Sequence, residues 1–107
     1  MDEPLYQRLA DTAFARIERA CDAFDTSEVD CERAGDVLTL VFPSRRKCIV
    51  NTQRPTRQIW LACGSSAWHF GYDEGSSRWL DDKGRGEELL QTVASIAKRE
   101  ANIDLSF

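Results

Sequence analysis

The sequence predicts an α+β fold, a two-layer sandwich with N- and C-terminal helices packed on one face of an antiparallel sheet of about six strands. Two observations lead to this prediction. Apolar residues recur at helical spacing at both ends of the chain. Between them, short alternating segments are separated by turn residues, as in a series of β-hairpins. Because each helix has only one apolar face, both helices can cover the same side of the sheet, and the other side stays open.

The first helix is expected over residues 4–25, with Pro4 in its first turn. Its apolar stripe consists of Tyr6, Leu9, Ala10, Ala13, Phe14, Ile17, Ala20, Cys21 and Phe24. Four acids, Asp11, Glu18, Asp22 and Asp25, fall on one flank of that stripe, and arginines fall on the other. Like charges at i,i+3 or i,i+4 destabilise a helix by about 0.2–0.5 kcal/mol per pair. The sorting therefore indicates either a binding surface or a solvated face, and the pattern leaves both open.

The strands are expected to begin at Glu28 and then to cover 37–42, 47–51, 58–63, 67–72 and 78–80. In the first of them, Val29 and Cys31 should point inward. Its acids, Glu28, Asp30 and Glu32, should point outward and extend the acidic flank of the helix if this strand lies at the sheet edge. Charges at an edge also deter edge-to-edge aggregation, which is a structural reason for some of them.

The strand over residues 58–63 alternates in polarity. Ile59 and Leu61 must face the core, so Trp60 must face the open side. Pro55 should lie in the turn before this strand, since it has no N–H to donate. Trp60 shares its side with the polar residues Asn51, Gln53 and Gln58. The pattern is typical of a contact surface for a partner, or of a Trp covered by a neighbouring loop, and it does not separate the two.

The second helix is expected over residues 87–101. Glu87 and Glu88 lie at its positive end, and Lys98 and Arg99 lie at its negative end, as the helix dipole favours. The tail, residues 103–107, alternates in polarity and is expected to pack back onto the helices.

Composition narrows the class of protein. A chain of 107 residues, 42% of them hydrophobic, predicts one globular domain. No run of 18 apolar residues occurs, so no transmembrane helix is expected. The acidic N-terminus resembles neither a secretory signal nor a transit peptide, which predicts a cytoplasmic protein. The four cysteines form no Cys-x-x-Cys pair and are expected to be small buried hydrophobes with free thiols.

No catalytic motif is present, and the single histidine, His69, is expected to be structural, so the protein is predicted not to be an enzyme. Residues 1–36 hold ten acids and four bases, whereas residues 43–58 hold five bases and no acid. Those bases, with Trp60 as a stacking platform, would suit single-stranded nucleic acid. The acidic pI of about 4.9 argues against that, and no nucleic-acid or membrane partner is expected.

One segment resembles a known family. The pattern Asn-x-Gln-x-Pro-x-x-Gln-Ile-Trp-Leu-Ala, from Asn51 to Ala62, is similar to the central strand pair of the frataxin family, and of its bacterial branch in particular. Shorter matches are spread over nearly the whole chain: Leu9-Ala10-Asp11, Ile17-Glu18, Asp30-Cys31-Glu32, Val37-Leu38-Thr39 and His69-Phe70. The frataxin fold has the two-layer architecture predicted above.

The resemblance implies an iron-binding protein that regulates or supplies iron to iron–sulfur cluster assembly. Its partners would be the cysteine desulfurase and the scaffold protein of that machinery, and it would be a monomer without iron. Clustered carboxylates suit hard cations, so ferrous or ferric iron would bind weakly. The implied metal ligands are Asp11, Glu18, Asp22, Asp25, Glu28, Asp30 and Glu32. The implied partner contacts are Asn51, Gln53, Gln58 and Trp60.

The acidic set is sparser than is usual in the family, because Arg19, Ala20 and Ala23 lie among its members. This leaves the number of bound ions and their affinity open. The alternative function is a protein-interaction module that docks on the cysteine desulfurase and binds iron only incidentally.

Overall fold

The computed structural model describes residues 1–107 and confirms the predicted α+β sandwich. Its elements are α1 (Glu3–Cys21), β1 (Asp30–Ala34), β2 (Val37–Val41), β3 (Lys47–Gln53), β4 (Gln58–Cys63), β5 (Ser66–Asp73), β6 (Arg78–Asp81) and α2 (Leu89–Ala101). The six strands form one antiparallel sheet in the order β1-β2-β3-β4-β5-β6, so each strand pairs with its neighbour in sequence. A short 3-10 turn, Arg54–Thr56, joins β3 to β4.

Both helices cover the same side of the sheet. One cluster of 25 buried residues joins the apolar stripes of α1 and α2 to the inward positions of the strands. In β4, Ile59 and Leu61 are buried while Trp60 is only half-buried, which confirms the predicted facing. In the tail, Ile103 and Leu105 are buried in the same cluster. Neither helix combines the length and the apolar content that crossing a membrane requires.

The first helix is shorter than predicted, because it ends at Cys21 rather than near Asp25. Asp25 forms a turn in place of a further helical turn. Its carboxylate accepts the Ser27 N–H at 2.9 Å, and its carbonyl accepts the N–H groups of Glu28 and Val29. Aspartate side chains compete with helix in this way. The prediction that β1 begins at Glu28 was therefore wrong, since residues up to Val29 belong to the turn and the strand begins at Asp30.

The second helix begins two residues later than predicted, because Glu88 is its N-cap and not a helical residue. The Glu88 carboxylate accepts the N–H groups of Leu90 and Gln91, both at 3.0 Å. These donors have no partner within the helix, so the carboxylate satisfies them and complements the dipole. Lys98 and Arg99 occupy the last turn, as predicted.

The expectation of four free thiols was wrong for one pair. Cys48 of β3 lies directly opposite Cys63 of β4, and the two form a disulfide with a Cα–Cα distance of 4.3 Å. The strand register brings them together on the helix-facing side, where opposed residues of an antiparallel pair come this close. Cys21 and Cys31 are free, and Cys31 is only partly buried.

Candidate functional site

The seven predicted metal ligands follow α1, the turn after it and the edge strand β1. We call this set the acidic edge: Asp11, Glu18, Asp22, Asp25, Glu28, Asp30 and Glu32. β1 is the outermost strand of the sheet and packs beside α1, as the sequence had suggested. The two elements that carry these acids are therefore neighbours, joined by the short turn between them.

Arg33 lies within the acidic edge, and the sequence analysis did not assign it a role. Its Nη2 is 2.6 Å from the Asp11 carboxylate, and its Nη1 is 3.6 Å from that of Glu18. Its guanidinium also lies over the Phe14 ring, 5.0 Å from the centroid. Arg33 therefore neutralises part of the helical half of the set. Strand alternation was the available signal, because Arg33 follows the inward-facing Cys31 by two positions.

The other five acids form no salt bridge. They do not all point the same way. Asp30 pairs with Val41 and Glu32 pairs with Thr39, so both face the side of the sheet away from α1. Asp22 follows α1 on the helix side. The structure thus separates the acids of β1 from those of the helix by the width of the sheet edge.

Two of these five acids, Asp25 and Glu28, form hydrogen bonds that stabilise the turn between α1 and β1. The backbone N–H and the hydroxyl of Ser27 hydrogen-bond to Asp25 and lower the pKa of its carboxyl. The Glu28 carboxylate accepts the N–H of Asp25 at 3.3 Å. No group of three or more His, Cys, Asp or Glu side chains is arranged to hold a metal ion. The acidic edge is an exposed array of carboxylates, not a coordination cage.

We call the side of the sheet opposite the helices the open face. Cross-strand pairing aligns Val37, Asn51, Trp60 and His69 in one row from β2 to β5. The next row contains Gln53 and Gln58. All four predicted partner contacts therefore lie on this face: Asn51, Gln53, Gln58 and Trp60. The predicted facing of Asn51, on the same side as Trp60, is confirmed.

Trp60 is held by its neighbours on the open face. Its ring stacks on His69, with centroids 4.1 Å apart and planes 15° apart, and its Nε1–H donates to the Gln58 side chain at 2.9 Å. The Gln58 amide donates in turn to Asp82 at 3.2 Å, and His69 Nδ1 lies 3.5 Å from the same carboxylate oxygen. These contacts fix the ring orientation, while the half-buried Trp60 still reaches solvent.

Asp82 is positioned by the buried residue before it. The carboxylate of Asp81 accepts the N–H groups of Lys83, Arg85 and Glu87 at 3.0, 3.3 and 2.9 Å. Burial acts to raise the pKa of Asp81, but these hydrogen bonds outweigh it and lower the pKa overall. Asp81 therefore shapes the loop between β6 and α2 that brings Asp82 to the open face.

From the helix side of the sheet, Tyr6 holds the connection between β3 and β4. Its hydroxyl donates to the Gln58 carbonyl at 2.6 Å and accepts the Gln53 N–H at 3.1 Å. The side chain is fully buried, and desolvation is the main cause of its raised pKa. The first helix thus anchors the connection between β3 and β4, on which Gln53 and Gln58 lie.

Two aliphatic side chains are exposed on the open face. Val37, at the β2 end of the row that contains Trp60, exposes 38% of its surface, and Ile49, two residues before Asn51 in β3, exposes 39%. Ile49 pairs with Ala62, which is also exposed. Aliphatic groups around a held aromatic ring are typical of a protein-binding surface.

The predicted basic stretch does not form one patch. Arg46 pairs with Glu100 at one end of β3, and Arg54 pairs with Asp36 near the other, each at 3.4 Å. A seven-residue strand separates the two groups by roughly 20 Å. These bases do not combine with Trp60 into a continuous groove.

The two free thiols interact with each other. Hydrogen bonding from Cys31 lowers the pKa of Cys21, and the same contact raises the pKa of Cys31. No spacing motif in the sequence indicated this pairing.

Comparison with known proteins agrees with this architecture. A family model described as the frataxin-like domain matches residues 1–103. The iron-sulfur cluster assembly protein CyaY of Pseudomonas fluorescens is 36% identical over 109 residues, covering 100% of this chain and 96% of that protein. Frataxin from Psychromonas ingrahamii superposes with a TM-score of 0.88 at 29% identity, covering 99% of this chain and 97% of that one.

A more distant structure has the same fold. Trimeric frataxin from the yeast Saccharomyces cerevisiae, complexed with ferrous iron, superposes with a TM-score of 0.71 at 22% identity, covering 96% of this chain and 90% of that one. The extent of these matches defines the class: this chain belongs to the frataxin family.

Proposed function

We propose that the protein binds iron at the acidic edge and serves iron–sulfur cluster assembly, docking on that machinery through the open face. The proposal of iron binding rests on the charge of residues 22–32. Residues 22–32 contain five carboxylates and no base, and none of the five has an ion-pair partner. The relative from Pseudomonas fluorescens is named for iron–sulfur cluster assembly, and the yeast frataxin structure is a complex with ferrous iron.

Iron would be bound as cargo. Hard cations prefer oxygen ligands, which carboxylates and water supply. With no three-carboxylate group present, an ion would be held by one or two carboxylate oxygens and would keep much of its water. Such binding is weak and exchanges quickly, as a protein that hands its metal on requires. Ferrous and ferric iron both fit this description.

A titration of the protein with ferrous iron under anaerobic conditions tests the metal half. Paramagnetic broadening of amide NMR signals should begin in residues 22–32 and in the neighbouring turn of α1. A variant that neutralises acids without a hydrogen-bonding role should lose most of this broadening: Asp22→Asn with Asp30→Asn and Glu32→Gln. Asp25 and Glu28 are left intact because they hold the turn.

The matched control removes three carboxylates elsewhere, so that the net charge changes equally: Asp36→Asn with Glu74→Gln and Asp104→Asn. This control should bind iron as the parent does. Equal broadening in both variants, or broadening centred on His69, would show that iron binds elsewhere or through net charge alone.

The open face would supply the contact with the cysteine desulfurase or the scaffold protein. Trp60 is the natural anchor, since aromatic residues dominate the energy of protein interfaces. Asn51, Gln53 and Gln58 would add hydrogen bonds around it. We further infer that the protein is cytoplasmic. We also infer that it is monomeric without iron, and sedimentation with and without ferrous iron would test its oligomeric state.

A second function is favoured by the lack of a metal cage. In that case, the protein is an interaction module that docks on the desulfurase, and its iron binding is incidental. Measuring affinity for the desulfurase with and without ferrous iron separates the two. An iron-dependent change supports a carrier or an iron-dependent regulator, whereas unchanged affinity supports the interaction module.

A further inference from the structure

The two free cysteines meet where α1 ends beside β1. Arg33 shows how these two elements lie, since it contacts Asp11, Phe14 and Glu18 along α1. After a short turn, β1 returns along α1 in the opposite direction. Cys31 precedes Arg33 by two residues on the same side of the strand, which places it about 7 Å nearer the end of the helix. At 1.5 Å per helical residue, that distance is about five residues, which counted from Phe14 or Glu18 leads to the end of α1, where Cys21 lies.

Packing holds both side chains in place. Cys21 belongs to the core cluster and exposes only 4% of its surface, and Cys31 packs against the same cluster. Between them, the chain is fixed by the Asp25 turn and by Val29, which is 2% exposed. The two thiols are therefore held at the junction of α1 and β1, where they hydrogen-bond to each other.

We propose that Cys21 and Cys31 form a redox-reactive dithiol that hydrogen peroxide oxidises to a reversible disulfide, which ties the end of α1 to β1. One thiolate attacks a peroxide oxygen, the O–O bond breaks, and a sulfenic acid and water result. The second thiol attacks the sulfenic sulfur, the S–S bond forms, and a second water leaves. Two thiols and one peroxide thus give one disulfide and two waters. The proposal does not depend on iron binding.

The second cysteine pair differs in access. Cys48 and Cys63 are already bonded across β3 and β4, where they expose only 2% and 3% of their surfaces. Cys31 is partly exposed at the sheet edge, so an oxidant in solution can reach it. The fold therefore holds one enclosed disulfide and one dithiol that solvent reaches through Cys31.

Peptide mapping of the unmodified protein tests the proposal. Trypsin should release residues 20–33 as one peptide, because no Lys or Arg lies between Arg19 and Arg33. That peptide contains Cys21 and Cys31 and neither of the others. After brief exposure to peroxide at pH 8, it should be about 2 Da lighter and resist alkylation, and dithiothreitol should reverse both changes. Cys48 and Cys63 fall in other peptides, so their bond cannot be confused with this one.

Two further measurements complete the test. In Cys31→Ser, the 2 Da loss in the 20–33 peptide should disappear. Closing this short loop should raise the melting temperature of the oxidised protein by about 10 °C. The proposal fails if peroxide leaves both cysteines open to alkylation, if they form bonds between molecules, or if oxidation lowers the melting temperature. Mapping of the unmodified chain decides the matter even if the variant does not fold.

Discussion

Replacing Arg33 by glutamine should destabilise the protein while strengthening its metal binding. The substitution removes the pairs with Asp11 and Glu18 and the contact with the Phe14 ring. A partly exposed ion pair contributes about 0.2–1 kcal/mol, and a cation–π contact about 0.5–1 kcal/mol. The expected loss is about 1–2 kcal/mol, or a fall of roughly 5–10 °C in melting temperature. The two released carboxylates add negative charge to the acidic edge, so iron should bind more tightly.

Thermal melts at low and high salt, together with anaerobic iron titrations, measure both effects. Part of the stability loss should vanish in high salt, because salt screens exposed pairs. The control is Arg54→Gln, which breaks the exposed pair with Asp36 and leaves the acidic edge unchanged. Equal melting temperatures for the two variants would refute the role assigned to Arg33. Weaker iron binding in Arg33→Gln would refute its role as a competitor for the acids.

Three other predictions concern the open face and its supports. Trp60→Ala should fold with a stability loss of about 1 kcal/mol, yet lose about 2 kcal/mol of binding free energy in a desulfurase pull-down. Leu61→Ala should lose about 2–5 kcal/mol of stability. A larger stability loss in Trp60→Ala than in Leu61→Ala would mean that the strand faces the other way. Tyr6 has a raised pKa, so its contribution to the free energy of unfolding is present below about pH 10 and is lost as pH rises through the folded-state pKa. Tyr6→Phe should lower stability by about 1–3 kcal/mol at pH 7 and make stability depend less on pH in the alkaline range. Asp81 has a lowered pKa, so its contribution to stability is lost as pH falls below about 4. Asp81→Asn should melt at a lower temperature at pH 7, and its stability should fall less steeply as pH is lowered. The same loss of stability with falling pH in the variant and the parent would contradict this account.

The facing of Trp60 could be predicted because strand alternation allows only two outcomes. Ile59 and Leu61 are strongly apolar, so only one of those outcomes buries them. Alternation likewise placed Asn51 on the same side of the sheet as Trp60, once β3 and β4 were taken as neighbours. Arg33 is a residue whose contacts alternation could not predict. Alternation indicates the side of the strand, but the helical residues that an edge strand meets depend on how helix and sheet pack.

Predicting the disulfide required the length of the turn between β3 and β4, which alternation does not supply. Gln53 pairs with Gln58 across the 3-10 turn, and Cys48 and Cys63 each lie five residues from that pair. Arg57 closes the turn in a left-handed conformation, with φ of 55°, which a sequence pattern does not favour for arginine. Without the length of the turn, the register of β3 and β4 was open, and so was the partner of each cysteine.

The order of the strands has a consequence for how the chain acquires its structure. Every strand pairs with the one next to it in sequence, through connections of a few residues. Such pairings close small loops and lose little chain entropy, so the sheet can assemble hairpin by hairpin from any starting point. The first helix, by contrast, makes contacts over a long stretch of chain, as when the Tyr6 hydroxyl reaches Gln58, 52 residues away. We therefore expect α1 to dock late, and mutations along its buried stripe to accelerate unfolding more than they slow folding.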